Sequence, residues 1–134
     1  MVKIAGIEGV GKTYSKTLSD AGIKTIQAIL KAGATVKGRK ELEKKTGISS
    51  KNILEWVNRA DLMRIKGIGE EYSDLLENSG VDTVVELANR NADNLMEKIT
   101  EVNKQKKLVR RPPALSMVQD WIKQAKTLPR VIEY

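Results

Sequence analysis

Cysteine and histidine are absent from the 134 residues, and only five side chains are aromatic (Tyr14, Trp56, Tyr72, Trp121 and Tyr134). Without cysteine the chain forms neither disulfides nor thiolate zinc sites. Without histidine it lacks the side chain most often used as a general base near neutral pH. No two carboxylates share an apolar setting that would raise a pKa into the catalytic range, and no Walker loop or metal-ligand cluster is visible. The sequence therefore predicts a protein that is not an enzyme, with no catalytic residue, no metal and no cofactor. Long apolar runs are missing as well. Nothing approaches the roughly 20 apolar residues of a membrane span. Met1-Val2-Lys3-Ile4-Ala5-Gly6 lacks the apolar core of a signal peptide. A cytoplasmic protein is expected, with no membrane and no small-molecule substrate as partner.

What the chain does have is positive charge, unevenly spread. Lys and Arg outnumber Asp and Glu by 24 to 17, a net +7. Residues 1–64 hold 13 basic against 6 acidic side chains, residues 65–101 hold 3 against 9, and residues 102–134 hold 8 against 2. Basic surfaces of this size favour polyanions such as nucleic acid, because each neutralised phosphate releases counterions. The apolar fraction of 40% is enough for one compact domain, or two half-domains sharing a core.

The chain also repeats itself. Ile7-Glu8-Gly9-Val10-Gly11-Lys12-Thr13-Tyr14-Ser15-Lys16-Thr17-Leu18 aligns without a gap on Ile65-Lys66-Gly67-Ile68-Gly69-Glu70-Glu71-Tyr72-Ser73-Asp74-Leu75-Leu76, at an offset of 58. The match continues through Gly22/Gly80 and Thr25/Thr83, and eight pairs between positions 7 and 26 are identical. Further on, Trp56 answers Trp121 at an offset of 65, so the second copy has gained seven residues. These fall near the run Lys104-Gln105-Lys106-Lys107-Leu108-Val109-Arg110-Arg111, which reads as a surface excursion ending in Pro112-Pro113. The predicted units are 1–64 and 65–134, the latter with a closing helix over 116–128.

Apolar spacing predicts helices and no sheet. Tyr14, Leu18 and Ala21 share one face of a helix ended by Gly22, a residue free to take positive φ. Thr25 starts a short helix, Thr35 caps a basic helix stopped at Gly47, and Ser49 or Ser50 opens the Trp56 helix. The second copy predicts helices over 70–79 and 83–90 and from Ala92 to about Lys106. Ser116 and Gln119 form a capping box for the last helix. That helix matches the Trp56 helix but is followed by no Gly-x-Gly. It is therefore expected to fold back on the first copy as its missing arm, while the Trp56 helix leads into the second. The four paired aromatics are expected in the core.

The pattern apolar-x-Gly-apolar-Gly resembles the helix-hairpin-helix motif of many DNA-binding and repair proteins. That resemblance implies a loop whose backbone N–H groups grip a phosphate at a helix N-terminus. Physical chemistry supports the same role: glycine brings the backbone close to a ligand, and the helix dipole favours an anion. Val10 would plug the turn into the core. The two copies diverge in charge after their second glycine. Lys12 and Lys16 can support a phosphate, whereas Glu70, Glu71 and Asp74 repel one. The expected nucleic-acid contacts are Gly9, Val10, Gly11, Lys12 and Lys16, joined by Lys37, Arg39 and Lys40 and by Lys104, Lys106, Lys107, Arg110 and Arg111. Lys37, Lys40 and Lys44 share a helix face by their spacing. Gly67, Ile68 and Gly69 are expected to be a structural hairpin. Repair glycosylases of this kind carry a catalytic Asp further along, but the matching stretch Ile29-Leu30-Lys31-Ala32 has no acid.

Most of the chain resembles an uncharacterised bacterial and archaeal family of tandem helix-hairpin-helix proteins, defined as a domain of unknown function. The stretches that carry the resemblance are 7–26, Lys37-Gly38-Arg39-Lys40-Glu41-Leu42, 53–72 and 102–111. The resemblance implies an all-α fold: two pseudo-symmetric helix-hairpin-helix repeats, as SAM-like helical bundles, around one core. The expected partner is double-stranded nucleic acid, bound through its backbone without reading sequence. The alternatives are a protein–protein adaptor, including self-association of oppositely charged segments, and a ribosome- or RNA-associated factor.

Overall fold

The computed structural model describes residues 4–7 and 10–134. The fold is all-α, with a short 3-10 helix at Ile4–Gly6 and no β-strand among the described residues. The α-helices are α1 (Gly11–Asp20), α2 (Ile26–Ala32), α3 (Val36–Thr46), α4 (Ser50–Leu62), α5 (Glu70–Asn78), α6 (Val84–Ala88), α7 (Ala92–Lys106) and α8 (Leu115–Ala125). No helix among the described residues is long and apolar enough to cross a membrane.

The chain divides into two compact units where one shared core was expected. The first comprises Met1–Asp61 with Val131–Tyr134, the second Leu62–Arg130. The boundary thus lies three residues before the expected one, and the last four residues return to the first unit. Divided there, the first unit holds 12 basic and 7 acidic side chains, a net +5, and the second 12 and 10, a net +2. The acidic segment after the second Gly-x-Gly and the basic run before α8 therefore nearly cancel within one unit.

Local chemistry sets the helix ends. Thr25 and Thr83 accept from the N–H groups of Ala28 and Glu86, Thr35 from Gly38, and Asn91 from Asn94. Each satisfies a first-turn amide that has no acceptor within its own helix. Gly47, at φ 75°, closes α3 in the left-handed conformation. Backbone hydrogen bonds recur at the offset of 58. Ile7 N to Ile4 O and Val10 N to Ile7 O match Ile65 N to Leu62 O and Ile68 N to Ile65 O. Ile23 N to Leu18 O, at 2.8 Å, matches Val81 N to Leu76 O, at 2.9 Å.

Each unit is built around an aromatic pair. Tyr14 meets Trp56 in the first with ring centroids 5.2 Å apart, and Tyr72 meets Trp121 in the second, also at 5.2 Å, both tilted. Such pairs add about 0.5–1.5 kcal/mol beyond their buried area. This overturns the expected crossing of helices between copies. α8 lies against α6 and α7 in its own unit, and Trp56 on α4 packs on Tyr14 of α1. The four residues Val131–Tyr134, rather than α8, return to the first unit. There Ile132 is buried and Glu133 N donates to Ala34 O at 2.7 Å.

Two further expectations are corrected. Tyr14 is 39% exposed, so only Trp56 of that pair is core. The last helix begins at Leu115 with Ala114 at its N-cap and no side-chain cap, so Ser116 lies inside the first turn and forms no capping box.

Candidate nucleic-acid interface

The first Gly-x-Gly turn enters α1 through Val10 and Gly11. Gly9 and Glu8 lie outside the described residues. Val10 is buried, as expected of a plug, and its N–H donates to Ile7 O. That amide is therefore spent within the turn, which removes Val10 from the expected phosphate contacts. The donors left to the site begin at Gly11, which has φ 67° and opens α1 with open space where a Cβ would stand. α1 has no side-chain cap at Val10, in contrast to α2, α3, α6 and α7. Lys12 and Lys16 are both exposed, one turn apart on this helix. The combination of first-turn amides, a positive dipole end and two ammonium groups suits a phosphate oxygen.

The second turn has a different setting. Gly67 has φ 101°, and a Cβ there would stand 3.1 Å from Trp121 Nε1. Gln124 on α8 holds the adjoining peptide twice, its Oε1 accepting from Lys66 N at 2.9 Å and its Nε2 donating to Lys66 O at 3.0 Å. Ile68 is buried in the second unit's core cluster, and Glu70 and Glu71 occupy the first turn of α5. The turn is fastened to α8 and is followed by two acidic residues at the start of α5. The residue type of Gln124 gave no hint of this role, because its partner lies 58 residues away.

The basic helix α3 sorts its cations by what they touch. Arg39 is 5% exposed; its guanidinium donates to Gly33 O at 2.8 Å and to Glu133 O at 2.7 Å. It holds the α2–α3 turn to the returning tail, so Arg39 is withdrawn from the phosphate contacts. Lys45 Nζ donates to Ala21 O, at the end of α1, where a cation also complements the dipole. Lys37, Lys40 and Lys44 line one groove of about 450 Å³ with Val36 and Glu41. The face expected from their spacing is thus present. Glu43, in contrast, accepts from Ser50 N and from Ser50 Oγ at 2.7 Å, capping α4. The Ser50 hydroxyl and amide, and more weakly Lys40, hold its carboxyl below the ordinary value.

The run 104–111 is better anchored than a surface excursion. Asn103 grips Val109 through both of its amide atoms, Nδ2 donating to Val109 O and Oδ1 accepting from Val109 N. Val109 is buried, Leu108 packs on the core cluster, and Tyr72 Oη donates to Arg111 O. Lys104, Lys106, Lys107, Arg110 and Arg111 are all exposed. Lys106 Nζ donates to Asn78 Oδ1 at 2.9 Å, and Lys107 ends α7 at φ 50°. The basic side chains are therefore carried on an ordered support.

Fold and surface together define an all-helical protein with cationic sites on both units. The chain belongs to the family described as a domain of unknown function (DUF4332), whose model matches residues 8–128. No curated protein and no solved structure matches it.

Proposed function

We propose that this is a non-catalytic, cytoplasmic protein that binds double-stranded nucleic acid through backbone phosphates without reading sequence. In this reading the two units are helix-hairpin-helix repeats of unequal role. The first hairpin grips a phosphate with the α1 amides, Lys12 and Lys16. Lys37 and Lys40 on α3 and the cations of 104–111 supply further phosphate contacts. The observation that carries the reading is the start of α1: a helix with no side-chain cap at Val10, opened by a positive-φ glycine and bearing exposed lysines. The two indoles are not platforms for stacking single-stranded bases, since Trp56 and Trp121 are 2% exposed.

Titration of a mixed-sequence duplex at several salt concentrations tests the proposal. With four to six phosphates neutralised, log affinity falls with log salt at a slope of roughly −4 to −5. Lys12→Glu with Lys16→Glu weakens binding across all sequences alike, whereas Glu70→Gln with Glu71→Gln changes it little. No binding at low salt sinks the proposal, and unchanged affinity in the lysine variant removes the first hairpin from it.

A further inference from the structure

The helices α3 and α7 hold corresponding places in their units. Each opens on a side-chain cap three residues before the amide it satisfies, Thr35 to Gly38 and Asn91 to Asn94, and each ends on a left-handed residue, Gly47 or Lys107. Their outer faces carry opposite net charge, three lysines against Glu41 on α3 and three carboxylates against Lys104 on α7. On α3, Val36, Lys37, Lys40, Glu41 and Lys44 line a groove of about 450 Å³, and Val36 is 40% exposed at its end. On α7, Asp93, Met96, Glu97, Thr100, Glu101 and, at its far end, Lys104 line one of about 600 Å³. Both stripes run at the three-to-four spacing of a single helix face.

We propose that this face of α3 packs against the matching face of α7 in a second copy of this chain. Laid antiparallel, the middle pair Lys40–Glu97 sets a register in which Lys44 meets Asp93 and the Val36–Lys37 end meets Glu101. All three meetings fall at steps of four residues on both helices, so one straight crossing makes them together. The antiparallel order also opposes the two helix dipoles. Surface ion pairs contribute about 0.2–1 kcal/mol each, so the association is weak and dissolves in salt. It does not depend on nucleic-acid binding. Where both occur, a duplex and the second copy compete for Lys37 and Lys40.

Sedimentation velocity of the full chain, freed of nucleic acid by nuclease and a high-salt wash, tests this at low and high salt. The wild type associates at low salt and sediments as a monomer at high salt. Lys40→Glu with Lys44→Glu, and separately Glu97→Lys with Glu101→Lys, each weaken association by about tenfold or more. An equimolar mixture of the two variants restores it, because each then meets an oppositely charged partner. Circular dichroism confirms that both variants are folded. A wild type that stays monomeric at low salt overturns the proposal, as does association that neither variant weakens, or variants that fail to recover when mixed. The Glu97/Glu101 variant leaves every proposed phosphate contact in place. Its duplex affinity therefore separates failure of this proposal from failure of the nucleic-acid reading.

Discussion

Tyr14 on Trp56 and Tyr72 on Trp121 are the same contact made twice, at the same separation, with different surroundings. In the second unit the tyrosine hydroxyl reaches Arg111 O, in the segment inserted before α8, and its ring joins the core cluster. In the first, Tyr14 is open to solvent. The third helices differ in a like manner. Arg39 is the buried anchor of α3, while at the corresponding step of α7 the chain buries Leu95. At this one step the second unit buries an apolar side chain and the first a cation holding two carbonyls. The comparison shows that a repeated sequence pattern fixes the helix order and the central pair, while the means of sealing each unit is free to diverge.

The largest test of that equivalence is removal of the indoles. Trp121→Ala costs about 3–5 kcal/mol in denaturant unfolding, and Trp56→Ala falls at the lower end of that range because its partner is partly solvated. Equal or reversed costs would show that Tyr72's extra packing contributes nothing. Next, Arg39→Leu gives α3 the residue type of α7. It destabilises by about 2–3 kcal/mol, because Gly33 O and Glu133 O lose a charged donor. A neutral or stabilising result would mean that apolar sealing suits both units. Glycine substitutions sharpen the contrast between the turns. Gly11→Ala costs about 1–2 kcal/mol for its left-handed backbone alone, and Gly67→Ala costs more because its Cβ also meets Trp121 Nε1.

The smallest effect is one of pH. Glu43 titrates below its ordinary value in the folded chain, so its contribution to stability is present above the unfolded pKa and is lost as pH falls through the folded one. Glu43→Gln therefore flattens the acid end of the stability profile and leaves neutral pH nearly unchanged. An acid limb as steep as the wild type's would remove Ser50 as the cause.

Sequence reading reached what local chemistry decides. Thr25, Thr35 and Thr83 cap helices within three residues of themselves, and Gly22, Gly47 and Gly80 take positive φ where a helix has to stop. The lysine face of α3 follows from the helical period alone. Long-range pairing was out of its reach. Arg39 looked like one more cation of a basic helix, because its partner Glu133 lies 94 residues away. The packing of α8 on its own unit, and the grip of Gln124 on Lys66, depend on contacts that no spacing rule encodes. The turn amide of Val10 was spent on Ile7 O, a bond that its residue type does not reveal.

The return of Val131–Tyr134 to the first unit also makes its completion depend on the last residues to be synthesised. The second unit is continuous and holds all its parts once Arg130 has left the ribosome. The first is interrupted, and Arg39 waits for Glu133, made more than ninety residues later, to complete its buried contacts. Domains ordinarily settle in the order in which they are translated. Here the half translated first receives its last buried side chain, Ile132, and the second acceptor of Arg39 only after every residue of the other half has been made.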